Sequence, residues 1–208
     1  MIANLVAGFL AWLARLISGA TALWFDCQPS IRQRVYFANH TSHMDFVVLW
    51  SVLPSEVREL TRPVAAKDYW TADRLRHYII DKVFHGILVE RQSADPILRH
   101  QQLENLAGGL AKVHSLILFP EGTRGDGEAV GEFKSGLFHI ARMRPDVELV
   151  PVYLENLNRV LPKGEYLPVP LLCKVYFGPA IQLDPLESKE QFLDRARQAV
   201  VALGAAHE

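Results

Sequence analysis

Apolar residues fall along this chain in two different ways. From Ile2 to Phe25 they are nearly continuous, with Asn4 and Arg15 as the strongly polar members. After Gln28-Pro29-Ser30 they break into short runs separated by polar segments with helical spacing. As one helix the first stretch would reach about 36 Å, enough to cross a hydrocarbon core of roughly 30 Å. Asn4, Gly8, Ala11, Arg15, Gly19 and Ala22 recur at steps of three and four and so share a face. Leu5, Phe9, Leu13, Leu16 and Leu23 fall on the other. Arg15 at the bilayer centre would cost about 2.5–3.5 kcal/mol. The pattern therefore favours a helix that enters a membrane without crossing it cleanly, over a full span or a helix packed on the domain. A signal peptide fits poorly, because no basic residue precedes the apolar run and Arg15 interrupts it. The expected division is a membrane-anchoring helix over 1–27 and a globular domain over 28–208.

The globular part alternates. Strands are predicted over Val35–Ala38, Pro63–Ala66, Gly86–Glu90, Leu116–Phe119, Leu149–Tyr153 and Lys174–Phe177. Helices are predicted between them. One runs from Phe46 onward, and one from Asp95 to Val113 with Asp95 as cap and Pro96 in the first turn. A shorter one covers Lys134 to Met143. The last covers Lys189 to Leu203, with Ser188 and Gln191 spaced as a capping box. Strands alternating with helices imply an α/β domain with a largely parallel central sheet flanked by helices.

Composition narrows the field. The 208 residues are half hydrophobic, enough for one domain with a substantial core. The net charge of −1, from 22 basic and 23 acidic residues, lacks the basic excess of a nucleic-acid binder. Cys27 and Cys173 have neither metal-site nor disulfide-framework spacing.

Chemistry concentrates where apolar runs end. After Val35–Ala38 comes Asn39-His40-Thr41-Ser42-His43-Met44-Asp45. If a helix starts near Ser42, Asp45 lies in its first turn and can reach one ring nitrogen of His40. That contact would leave the other nitrogen as a base. The plainer alternative is that Asn39 and Ser42 cap the helix while Asp45 favours its positive end. The run Gly86–Val89 ends in Glu90-Arg91, where the guanidinium offers a planar fork to a phosphate or carboxylate. The run Leu116–Phe119 ends in Pro120-Glu121-Gly122-Thr123-Arg124. There proline stops the strand, and the acid, hydroxyl and base are presented together. In Leu149-Val150-Pro151-Val152, proline predicts an edge, a strand start or a bulge that could shape a pocket wall.

Together these four pieces resemble the glycerolipid acyltransferase family, which makes phosphatidic acid from lysophosphatidic acid and acylates related lysophospholipids. Asn39–Asp45 resembles its His-x4-Asp block, Gly86–Arg91 its second block and Phe119–Arg124 its Phe-Pro-Glu-Gly-Thr-Arg block. Val150-Pro151-Val152 resembles the last, and Ala65-Ala66-Lys67-Asp68 a segment that brings a lysine near the acceptor. The resemblance spans roughly residues 35 to 155. It implies direct acyl transfer from an acyl thioester, carried by coenzyme A or acyl carrier protein, to a lysolipid hydroxyl. No metal or other cofactor is implied. His40 would be the base and Asp45 its orienting partner. Lys67, Arg91, Glu121, Gly122, Thr123, Arg124 and Pro151 would form the acceptor site. The implied setting is the cytoplasmic face of the inner membrane.

Two departures from the pattern bear on the acceptor. The second block reads Glu90-Arg91 where the family usually has Asp-Arg, and Lys67 is followed by Asp68-Tyr69-Trp70. Lyso-ornithine lipid and other lipid alcohols stay open as acceptors. Two other classes compete. A metal hydrolase would use His40, His43 and Asp45 as ligands. A non-catalytic lipid-binding protein would keep the pocket without turnover.

Overall fold

The computed structural model describes residues 2–42, 44–90, 101, 104–108, 110, 114–157 and 172–206. Seven strands form one sheet. They are β1 (Thr21–Trp24), β2 (Arg34–Ala38), β3 (Thr61–Ala66), β4 (Ile87–Val89), β5 (Ser115–Leu118), β6 (Glu148–Glu155) and β7 (Lys174–Phe177). Their order is β1-β7-β6-β2-β5-β3-β4. Neighbours are parallel except β6 and β7. The five strands β2 to β6 therefore end on the same edge of the sheet.

β2 lies near the centre and is buried throughout. Tyr36 and Ala38 face a layer made by α1 (Ile2–Ser18), α2 (Asp45–Val52) and a π-helical turn, Ile79–Val83. Val35 and Phe37 face the opposite layer. This two-sided burial is why β2 reads as an unbroken apolar run rather than an alternation. On the first side, short helices α3 (Ser55–Glu59), α4 (Lys67–Trp70) and α5 (Arg74–Tyr78) complete the connections to β3 and β4. On the second side lie α6 (Gly136–Met143) and α7 (Lys189–Ala205). The capping box expected before α7 is formed, with Ser188 and Gln191 reciprocally bonded. Most of the helix expected over Asp95–Val113 lies outside the described residues. Leu106 and Leu110 of that stretch are buried beside Val35 and Phe37.

The N-terminal stretch departs from expectation. It is not one helix to Phe25. α1 stops at Ser18, and Gly19 takes φ +54°, a conformation that suits glycine and ends the helix. The chain then reverses into β1, which pairs with β7 and stacks Trp24 on Phe177 at 3.8 Å. Thr21–Trp24 is apolar enough for either state; a neighbouring strand with free ladder positions decides it.

Arg15 is also placed differently. Its Nε donates to the Ser51 carbonyl at 2.6 Å, and its Nη2 reaches the same oxygen and that of Leu53. It therefore satisfies carbonyls at the C-terminal end of α2, where a cation complements the helix dipole. Ala11, Ala14 and Ser18 are buried on this side, while Asn4 and Gly8 are exposed. Leu5, Phe9, Trp12 and Leu16, at steps of four, three and four, are each more than half exposed. Among the described residues no helix is long and apolar enough to cross a membrane.

Pro151 keeps one of the three expected settings and excludes the edge. It sits in an interior strand, opposite Phe37 of β2. Its carbonyl accepts from Gly178 N–H at 3.0 Å, so its nitrogen also points to the β7 side. The β6–β7 ladder begins only at Val152↔Phe177. Pairing resumes at Leu149↔Ile181, three residues back on β6 but four along the other chain, so Pro151 sits where one extra residue interrupts the ladder, as at a bulge.

Candidate active site

The parallel pairing of β2 with β5 builds the site. Phe37 is in register with Leu118, so the turn after β2 and the turn after β5 leave the same edge side by side. Ligands bind along this carboxyl edge in open α/β sheets. The two turns are bolted together through the His40 backbone. Glu121 Oε1 accepts from His40 N–H at 2.8 Å, and Gly125 N–H donates to the His40 carbonyl at 2.8 Å.

Within the first turn, Asp45 is fully buried at the start of α2. Its Oδ2 accepts from Thr41 N–H at 2.6 Å and Ser42 N–H at 2.9 Å, and lies 2.8 Å from His40 Nδ1. An oxygen already accepting two N–H donors is an acceptor for the ring as well. Nδ1 therefore carries the proton, and Nε2 is left with its lone pair. The imidazole is 21% exposed and stacks on Phe119 with centroids 4.4 Å apart. The ring is thus fixed by a carboxylate on one nitrogen and an aromatic face beside it.

The capping alternative fails in its particulars. Met44 occupies the N-cap position without a side-chain cap bond. Asn39 instead clips β2 to β6: its Nδ2 donates to Leu154 O at 3.1 Å and its Oδ1 accepts from Leu154 N–H at 2.8 Å. It extends the strand pairing beyond Ala38 by imitating a peptide group. Asp45 does sit in the first turn of the helix, yet its side chain is aimed back at the histidine turn.

The remaining sequence candidates separate. Glu121 is a buried strut, with Oε1 on His40 N–H and Oε2 on Gly131 N–H at 3.1 Å. Burial pushes its carboxyl above the ordinary range, and the two N–H donors pull it partly back. Gly122 has φ +69°, which only a glycine adopts readily. Thr123 is exposed and Arg124 half-buried. Lys67, at the C-terminal end of β3, pairs with Glu90 beyond β4 at 3.1 Å, both side chains well exposed. Pro151 is not gathered here; its Cγ lies with Leu203 against Gly178, beneath α7. Arg91 and His43 lie outside the described residues. Sequence reasoning assigns no role to Phe119 and only a helix cap to Asn39. Phe119 lay inside a block already singled out, whereas nothing local marks Asn39, since its partner is 115 residues away.

Replacing Glu121 by Gln tests the strut. A carboxamide has one acceptor oxygen where two backbone donors need one each, and its NH2 would face a donor. The expected loss is about 1–3 kcal/mol of stability, read from urea denaturation. An unchanged midpoint would show that these bonds hold nothing.

An imidazole held by a buried carboxylate on the carboxyl edge of a parallel sheet, beside a glycine- and arginine-bearing turn, is an arrangement suited to taking up a proton. Residues 27–155 match the family model described as Acyltransferase, and the chain belongs to that family. Among curated proteins, a 1-acyl-sn-glycerol-3-phosphate acyltransferase of Chlamydomonas reinhardtii is 29% identical over 182 residues, 84% of this chain and 49% of the relative. One of Limnanthes alba is 27% identical over 191 residues, 87% of this chain and 60% of the relative. The chain thus spans about half to three-fifths of the length of these curated relatives. The crystal structure of the 1-acyl-sn-glycerophosphate (LPA) acyltransferase PlsC from Thermotoga maritima superposes with a TM-score of 0.73 at 19% identity. The match covers 98% of this chain and 80% of that one, and shows a shared fold.

Proposed function

We propose that this chain moves a fatty acyl group from an acyl thioester, of coenzyme A or acyl carrier protein, to the free hydroxyl of 1-acylglycerol 3-phosphate, giving phosphatidic acid. One observation carries the reading: the His40–Asp45 contact at 2.8 Å, on the sheet edge and bolted to the Glu121–Arg124 turn. His40 Nε2 takes the hydroxyl proton as the oxygen attacks the thioester carbonyl. The new C–O bond forms, the C–S bond breaks, and the imidazolium returns the proton to the departing thiolate. Asp45 stabilises the imidazolium in between. A thioester is already activated, so no serine or cysteine nucleophile is required. Arg124 holds the acceptor's phosphate, with Arg91 and Lys67 adding charge. The names of the curated relatives support this choice of acceptor. The test is acyl transfer by purified protein, crossing acyl-CoA and acyl carrier protein donors with lysophosphatidic acid and lyso-ornithine lipid. Phosphatidic acid is the expected product. Product from lyso-ornithine lipid alone would leave the mechanism and remove the acceptor. No product with any pair, with lipid still bound, would favour the binding-protein alternative.

Both substrates reside at a membrane, and α1 supplies the means of docking there. Its exposed stripe of Leu5, Phe9, Trp12 and Leu16 suits an interfacial helix, with Arg15 turned to the protein rather than the bilayer. The cytoplasmic face of the inner membrane is the setting proposed for it. Removing residues 1–25 would also remove β1 from the sheet, so truncation is a poor test. Changing the four exposed residues to Ser leaves Ala11, Ala14 and Arg15 in place. Partition onto phospholipid vesicles is expected to fall about 100-fold or more, with the circular dichroism spectrum unchanged. A folded variant that still sediments with vesicles would place the docking surface elsewhere.

A further inference from the structure

A lysine that the scheme above does not use lies on the same turn. Lys134 precedes α6, and its N–H donates to the Pro120 carbonyl at 2.9 Å. Phe133 beside it is buried, edge-on to Phe37. The Lys134 backbone is therefore tied to the turn that follows β5.

Its side chain folds back over that turn. Nζ, Cδ and Cε lie 2.9, 3.0 and 3.2 Å from the point that a Cβ on Gly122 would occupy. The absent side chain of Gly122 is thus the seat of the lysine. The ammonium rests over Gly122, which stands two positions before Arg124 in the chain. Among the described residues neither Lys134 nor Arg124 has a carboxylate within ion-pair distance. Lys67 differs, since it is paired with Glu90 at the surface. The acid of the turn itself, Glu121, is committed to two backbone donors. An anion bound at this turn would be drawn both to Arg124 on it and to Lys134 folded over it.

We propose that Lys134 is a second ligand for the acceptor's phosphate, acting with Arg124. The pair matches a phosphomonoester, which carries about −1.5 to −2 charge near neutral pH, better than a phosphodiester with one negative charge. Lys134 would therefore select lysophosphatidate over lysolipids with larger headgroups and over neutral glycerides. This rests on the proposed lysophosphatidate acyltransferase activity.

K134M keeps a stem to cover Gly122 and removes the charge; K134Q is a second variant with a polar end. Steady-state kinetics would be measured with lysophosphatidate and with monoacylglycerol, alongside the thermal midpoint. The expected result is a rise of about tenfold in KM for lysophosphatidate, as loss of one charge-assisted contact implies. The KM for monoacylglycerol should stay within about twofold and the midpoint should not move. Rescue by K134R, with KM falling back toward the wild type, is also expected. Equal effects on both acceptors, or no effect on either, would overturn the proposal while leaving the acyltransferase reading intact. A wild type that acylates monoacylglycerol but not lysophosphatidate would overturn both.

Discussion

His40→Ala is expected to lower kcat by about 10²- to 10⁴-fold, the usual contribution of a positioned general base, while the fold persists. The side chain is one-fifth exposed, and its removal leaves the two bonds that join the turns untouched, because those use the His40 N–H and carbonyl. What disappears is the imidazole between Asp45 and Phe119. Thermal denaturation and turnover measured on the same preparation separate the two effects. A folded His40→Ala enzyme with near wild-type turnover would remove the base from the mechanism.

Asp45 is the more informative partner, since two substitutions separate its two jobs. In Asp45→Asn the amide oxygen takes the place of Oδ2. The reverse orientation would set an NH2 against the N–H groups of Thr41 and Ser42. The turn and the ring tautomer are therefore retained, and only the negative charge opposite the developing imidazolium is lost. At an effective dielectric near 20, a charge pair this close is worth several kcal/mol. The expected fall in kcat is about 10²- to 10³-fold, with a smaller loss of melting temperature than in Asp45→Ala, since the amide NH2 replaces Oδ1, a buried atom without a partner among the described residues. Asp45→Ala loses the same catalysis and also orphans two N–H groups, at about 1–3 kcal/mol each where they are buried. Asn and Ala variants equal in both activity and stability would mean that the carboxylate serves the turn alone. A folded Asn variant with normal turnover would mean that its charge has no part in the reaction.

Much of this site was legible because its parts are local. His40 and Asp45 are five residues apart, and a strand-turn-helix passage can fold them together without help from the rest of the chain. The Phe119–Arg124 turn is likewise announced by a proline that stops a strand and a glycine with positive φ. Glu121 shows where local reading stops. In sequence it stands with Thr123 and Arg124 as one polar presentation. In the fold its carboxylate turns inward, because two backbone N–H groups from separate segments must be satisfied beneath the loop. Lys134 was hidden for a related reason. It lies twelve residues beyond Gly122, and only the loop's closure through the Pro120 carbonyl seats it there.

The residue order alone determined the alternation of strands and helices, the cap before α7 and the polar turns that end β2 and β5. Each depends on periodicity or on side chains within a few positions, where sterics and hydrogen bonding act without distant partners. The tertiary structure decided the rest. It ended α1 at Ser18 and made Thr21–Trp24 a strand, because β7 offered an open ladder. It turned Arg15 from an obstacle to membrane insertion into a clamp on the carbonyls of α2. It admitted Pro151 to an interior strand, because one extra residue on the neighbouring chain interrupts the pairing there. These outcomes turn on partners about 25 to about 150 residues away, and no local window of the chain contains both sides of such a contact.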